Sequence, residues 1–103
     1  MFVITNKGTD GTPLVSRVSS FEAARQAISY MADILFQSIQ GNKKKVAEET
    51  VKSSMQTVRT VILDNGQKVF MNTVENPVPG QTVCMVVQDS EIVGDFSAKE
   101  ELV

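Results

Sequence analysis

The feature that most constrains the fold of this 103-residue chain is the dipeptide Asn65-Gly66, which stands between two β-branched runs. The runs are Thr57 to Leu63 and Lys68 to Val74. Asn-Gly favours a type I′ turn, because both central residues of that turn need positive φ, and it is the strongest short signal for a β-hairpin. The sequence therefore predicts an antiparallel hairpin over residues 57–74.

The same turn predicts which side chains share a face of the hairpin, because side chains alternate along each strand. One face is expected to carry Val58, Thr60, Ile62, Val69, Met71 and Thr73, and the other Thr57, Arg59, Val61, Leu63, Lys68, Phe70, Asn72 and Val74. Both faces are half apolar, whereas a sheet with one wet face alternates cleanly between apolar and polar residues. We therefore expect both faces to be covered.

Two further strands are predicted after the hairpin. Pro79-Gly80 suits a type II turn, and Gln81 to Gln88 is a strongly apolar run. Asp89-Ser90 is expected to turn the chain into a short strand from Glu91 to Phe96. The second half is thus a three- to four-stranded antiparallel meander. The polar residues 98–103 are expected to form a loose tail, which leaves a single domain over residues 1–97.

The N-terminal half is predicted to be a β-hairpin followed by helices. Phe2 to Thr5 and Leu14 to Val18 read as short strands around a glycine-rich turn at 7–12. Ser19 is the predicted N-cap of a helix over about residues 20–40, with Glu22 completing a capping box.

Two further signals bound the helical region. Gly41 is expected to end the long helix, because glycine adopts positive φ at little cost. Residues 43–55 carry a weak apolar stripe that predicts a short second helix, or a frayed extension of the first. The predicted fold class is therefore α+β, with an N-terminal hairpin, one long and one short helix, and the meander.

The apolar residues exceed what this fold can bury in one copy. Two helices cover one face of the sheet, and the other face needs a second cover. One interpretation is that the N-terminal hairpin folds over and closes a sandwich or barrel. The other is a homo-oligomer or a protein partner, since large apolar patches mark such contacts. The expected contact residues are Tyr30, Phe36, Val61, Leu63 and Phe70.

The absence of histidine limits the chemistry available to the chain. Histidine is the usual general base and the commonest metal ligand, so Ser-His-Asp, Cys-His and HExxH sites are impossible. The single cysteine, Cys84, lies in an apolar run and is interpreted as a core thiol. We therefore predict no catalytic residue, no cofactor and no metal site.

A basic patch supports an alternative function. Lys43, Lys44, Lys45, Arg59 and Lys68 are the cations that would bind an anion, a small ligand or nucleic acid. The net charge of −2 and the lack of interleaved aromatic residues make nucleic acid an unfavoured partner.

The leading hypothesis is a non-enzymatic, self-associating protein-interaction module, either an inhibitor or an assembly subunit. Small α+β chains of this kind are frequent among bacterial and phage accessory proteins. An enzyme using carboxylates between subunits is a further alternative. No apolar run reaches the ~20 residues of a membrane span, so we expect a cytoplasmic protein with no membrane contact.

Overall fold

The structure is a computed structural model that describes residues 1–8 and 16–102. In chain order its elements are β1 (Phe2–Asn6), β2 (Ser16–Val18), α1 (Phe21–Gln40), β3 (Lys45–Lys52), β4 (Gln56–Leu63), β5 (Lys68–Val74), β6 (Thr82–Gln88) and β7 (Glu91–Glu100). The strands form a seven-stranded antiparallel sheet in the order β2-β1-β7-β6-β5-β4-β3. The predicted α+β class is confirmed, with one helix fewer and more strands than expected within the described residues.

The N-terminal hairpin joins the sheet instead of folding across it. Phe2 lies opposite Val18 on β2, which confirms the predicted pairing of the two strands. The other edge of β1 pairs with β7, where Ile4 lies opposite Ala98. The hairpin therefore extends the sheet sideways, and its described residues do not close a sandwich or barrel. Most of the glycine-rich turn predicted at 7–12 lies outside the described residues, as do Leu14 and Val15.

The long helix is confirmed, but its first residue differs from the prediction. Ser20, and not Ser19, is the N-cap, and its hydroxyl accepts a hydrogen bond from the Ala23 N–H at 3.1 Å. Glu22 forms an ion pair with Arg25 on the next turn instead of closing a capping box. The helix ends as predicted at Gly41, which has a φ of 55°.

The predicted second helix is wrong, because residues 45–52 form strand β3. Val51 lies opposite Val58 and Glu49 opposite Thr60, so β4 supplies the hydrogen-bonding partners of this segment. A helix here would have little apolar surface to bury, since Val46, Ala47 and Val51 are the only apolar residues among the eight of β3. Its charge order, lysines first and glutamates later, also opposes the helix dipole.

The central hairpin is confirmed, but its turn contains one residue more than a type I′ turn. The Gly66 N–H donates to the Leu63 carbonyl, and the Leu63 N–H donates to the Gln67 carbonyl, each at 2.9 Å. Gly66 has a φ of 88°, whereas Asn65 does not have positive φ. This is a type I turn followed by a left-handed glycine, the usual three-residue hairpin loop.

The extra turn residue shifts the register by one and corrects the predicted faces. Val61 now lies opposite Val69, and Thr60 lies opposite Phe70. Because side chains alternate, the shift moves every β5 side chain to the face opposite the predicted one. Val69 and Met71 therefore share the helix side of the sheet with Val61, and Phe70 lies on the other side.

Strand β7 is longer than its sequence predicted. It continues past Phe96 to Glu100, so residues 98–100 of the expected tail belong to the sheet. Ala98 is fully buried and lies opposite Ile4. The strand continues because β1 provides a second hydrogen-bonding edge for it.

The core lies between α1 and one face of the sheet. Its members are Ile4, Ala24, Ile28, Ala32, Phe36, Val61, Leu63, Val69, Met71, Val83, Cys84, Val86, Val93, Phe96 and Ala98. The helix contributes a stripe of buried residues at every fourth position from Ala24 to Gln40. No helix or strand of the described chain lies across the opposite face of the sheet, which we call the open face.

Candidate functional site

The part of the open face formed by β3 to β6 is predominantly apolar. Side chains that point away from α1 stand next to one another across these strands, and the apolar ones are Val51, Val58, Ile62, Phe70, Met85 and Val87. Val51 is 55% exposed and Ile62 37%, whereas Val58, Phe70 and Met85 are half-buried by their neighbours. Val87 is only 5% exposed, so the surface that these four strands present to solvent is formed mainly by the other five residues.

Asn72 lies at the centre of this apolar surface, between Val58 and Met85. Its Nδ2 donates to Gln56 Oε1 at 3.1 Å. Its Oδ1 is buried and has no hydrogen-bond partner among the described residues. A buried, unpaired carbonyl oxygen costs about 1–3 kcal/mol, so Asn72 is a polar group that the single copy leaves unsatisfied.

The remainder of the open face, on β7, β1 and β2, is mostly polar, although Ile92 and Val3 also lie on it. Thr5 and Ser97 lie opposite each other with their hydroxyl oxygens 3.1 Å apart. They line a shallow cleft of about 630 Å³ that also includes Lys99. Arg17 closes one side of the cleft through an ion pair with Glu101 at 2.9 Å. Their hydrogen bond and opposite charges raise the pKa of Arg17 and lower that of Glu101.

Strand β3 is the second candidate surface, because it forms one edge of the sheet. Each of its eight residues is exposed, and Val46 and Val51 retain 59% and 55% of their surface. An edge strand presents a row of unpaired backbone N–H and C=O groups, which is a template for another strand. β3 contains no proline, and its one irregularity is the bulge between Lys45 and Ala47.

The structure separates the five residues predicted to form a protein interface. Phe36, Val61 and Leu63 are at most 1% exposed and belong to the core between α1 and the sheet. Tyr30 is 69% exposed on the outer side of α1. Phe70 lies on the open face, on the other side of the molecule. Of the predicted set, the open face therefore contains Phe70 alone.

The predicted cations also do not converge on one surface. Arg59 lies over the ring of Phe36 at 5.1 Å, and its guanidinium contacts Glu48 at 3.6 Å and Asp33 at 4.0 Å. Lys43, Lys44 and Lys45 are exposed before and at the start of β3. Lys68 is opposite Ile62, so it is on the open face, away from Arg59. Two carboxylates thus balance the charge of the most central cation.

The single cysteine of the chain lies in the core. Cys84 is buried on the helix side, where burial raises the pKa of its thiol, and Thr73 Oγ1 is 3.6 Å from its sulfur. No group of three or more histidine, cysteine, aspartate or glutamate side chains within residues 1–8 and 16–102 is placed to hold a metal ion. Over the same residues, no helix is long and apolar enough to cross a membrane.

Comparisons of the chain with protein-family models, with curated proteins and with solved structures gave no match. The surface is therefore interpreted from its own geometry. Sequence reasoning detected the surplus of apolar residues but missed most of those on the open face, above all Val58, Ile62 and Met85. Their position depends on the register of the hairpin, and the four-residue segment Asp64 to Gln67 accommodates more than one turn.

Proposed function

We propose that this protein is a non-enzymatic, self-associating interaction module, an assembly subunit in which a second copy covers the open face of the sheet. The observation that supports this proposal is the apolar surface on β3 to β6, where Val58 and Met85 lie on either side of Asn72, Phe70 lies two residues along β5, and no described element covers them. Contiguous exposed apolar surfaces of this kind mark protein contacts.

The size of the open face suits a contact between two copies. Seven strands about 4.8 Å apart, each ordered over about six residues of ~3.3 Å, give roughly 700 Å² in projection, and the four apolar strands β3 to β6 supply roughly 400 Å² of this. A stable interface buries about 800 Å² per partner. The surface of protruding side chains exceeds the projected area, so face-to-face stacking of two sheets about 10 Å apart would reach this value.

The distribution of charge also favours a second copy over a charged partner. On the open face of β3 to β5, the charged residues are Glu49 on the edge strand and Lys68 at the start of β5. The centre, around Phe70 and Asn72, carries no charge. The apolar parts of two such faces can meet without burying an unpaired charge, because Asp95, Lys99 and Arg17 lie on the other strands of the face. Nucleic acid instead needs several cations in contact with phosphates.

The test is the mass of the protein in solution, measured by light scattering over a range of concentrations. We expect a dimer or a larger closed assembly for the unmodified chain. Phe70→Lys places a charge at the centre of the proposed contact and should raise the dissociation constant about a hundredfold or more. Ile34→Lys, at a half-exposed position on α1, is the matched control and should leave the mass unchanged.

Two results would contradict the proposal. One is a monomeric mass for the unmodified chain at every concentration. The other is an assembly that Phe70→Lys and Ile34→Lys affect equally. Far-ultraviolet circular dichroism on each variant establishes that a change of mass does not come from unfolding.

A further inference from the structure

Strand β3 carries enough information to specify how a second copy would pair with it. Its backbone groups alternate between those that face β4 and those that face outward. The Ser53 N–H donates to the Gln56 carbonyl at 2.8 Å, and Val51 lies opposite Val58 in the same register. Odd-numbered residues of β3 after the bulge therefore direct their N–H and C=O groups to β4. Glu48, Thr50 and Lys52 direct theirs to solvent.

This alternation limits how β3 can pair with β3 of a second copy. In an antiparallel pair, outward-facing residues must lie opposite outward-facing residues, so each of Glu48, Thr50 and Lys52 must meet one of the same kind. A register with Glu48 opposite Glu49 is excluded, because the backbone groups of Glu48 face outward whereas those of Glu49 already face β4. The permitted two-fold registers within the regular part of the strand centre on residues 48, 49, 50 or 51.

Charge distinguishes between these registers. A centre at Glu48 or at Glu49 places two like carboxylates directly opposite each other, which is unfavourable. A centre at Val51 pairs Thr50 with Lys52 and creates no ion pair. A centre at Thr50 places Glu48, which contacts Arg59 and Lys45 of its own copy at 3.6 Å, opposite Lys52 of the second copy. The two-fold axis repeats that pair. Thr50 then faces Thr50, and Val51 faces Glu49.

We infer that β3 pairs antiparallel with β3 of a second copy, with Thr50 on the two-fold axis and Glu48 opposite Lys52 in two symmetric ion pairs. The axis is perpendicular to the sheet, so both helices lie on one side and the two open faces merge on the other. Because the apolar part of each open face begins at β3, the merged sheet joins the two apolar surfaces into one. This edge contact leaves the merged open face uncovered, so it is a second contact between copies beside the face contact, and it rests on the proposed self-association.

The test is a disulfide on the axis. Opposed residues of a hydrogen-bonded antiparallel pair have Cα atoms about 5.5 Å apart, which suits a disulfide. Thr50→Cys should form a covalent dimer under mild oxidation, read by non-reducing electrophoresis. Glu49→Cys is the matched control on the adjacent residue and should cross-link far more slowly. The unmodified chain controls for Cys84, which is buried.

A charge reversal provides an independent measurement of the same register. Lys52→Glu places a carboxylate opposite Glu48 twice per dimer and should raise the dissociation constant roughly tenfold. Lys44→Glu, an equal change of charge before the strand, should have a much smaller effect.

The outcomes separate this inference from the proposed function. Efficient cross-linking of Thr50→Cys together with weakening by Lys52→Glu supports the β3 pairing. Cross-linking of Glu49→Cys but not Thr50→Cys overturns the assigned register. If neither variant cross-links while light scattering gives an assembly that Phe70→Lys dissociates, the β3 pairing is wrong and the face contact stands. A monomer at every concentration overturns both.

Discussion

Alanine substitution along β5 tests the register that places Phe70 on the open face. In the structure Val69 is 0% exposed and faces α1, whereas Phe70 faces away from it. Val69→Ala removes carbon atoms worth about 1.6 kcal/mol of transfer free energy at ~0.8 kcal/mol each. The cavity that remains adds about 1 kcal/mol. We therefore expect Val69→Ala to lower the free energy of unfolding by about 2–3 kcal/mol.

Phe70→Ala should lower the free energy of unfolding less than Val69→Ala does, although phenylalanine is the larger residue. Phe70 is half-buried on the open face and no described element covers it, so its truncation leaves no closed cavity and lowers the free energy of unfolding by about 1 kcal/mol. The alternation should continue along the strand. Met71→Ala is expected to cost about 2–4 kcal/mol, because Met71 is 7% exposed on the helix side. Asn72→Ala should be close to neutral, because it removes a buried unpaired oxygen together with one hydrogen bond.

The assay is urea unfolding, with the free energy obtained by linear extrapolation and the slopes compared between variants. The protein concentration must lie below the dissociation constant of the assembly, since association would add to the apparent stability. A type I′ turn would exchange the two faces of β5. Phe70→Ala would then lower the free energy of unfolding more than Val69→Ala. A larger loss for Phe70→Ala than for Val69→Ala would refute the register and, with it, the assignment of Phe70 to the open face.

Three further predictions concern individual residues outside β5. Arg59→Met should lower the free energy of unfolding by about 1 kcal/mol by removing the cation above an aromatic ring. Because its two ion pairs are long and partly exposed, 0.5 M salt should change this loss little. Burial raises the pKa of the Cys84 thiol, so as pH rises the thiol of the unfolded chain loses its proton first. The free energy of unfolding should therefore be unaffected at low pH and fall above about pH 8.5. Urea titrations should show that Cys84→Ala abolishes this fall. A Cβ at Gly8 would collide with the Val93 carbonyl, whereas a Cβ at Gly66 meets open space and the positive φ there costs about 1 kcal/mol. Gly8→Ala should therefore lower the stability measured by thermal unfolding more than Gly66→Ala does. Equal losses of stability would contradict this.

Local signals predicted the elements whose evidence lies within a few residues of sequence. Gly41 ends the helix because glycine tolerates a φ of 55°, and no distant contact is needed for that preference. The helix start was predicted within one residue, since Ser19 and Ser20 are equivalent as N-caps until the backbone chooses one. The hairpin over residues 57–74 was predicted for the same local reason.

The segment at 43–55 was not predictable in this way. Its weak apolar stripe fits a helix and its β-branched residues fit a strand, so local preference does not separate the two. The edge of β4 decides between them, because it offers backbone partners along the whole of β3. The candidate site could not be predicted from local preference for the same reason, since both the β3 edge and the open face depend on strand pairing.

The sequence by itself determined that this protein has an α+β fold with one long helix, a central hairpin, and more apolar surface than a single helix can cover. The tertiary structure alone decided which side chains form the core and which remain on the open face. Val61, Leu63, Val69 and Met71 reach the helix together only in the register of a three-residue turn. Burying these side chains is worth several kcal/mol, whereas a turn preference is worth about one, so packing against α1 selects the register.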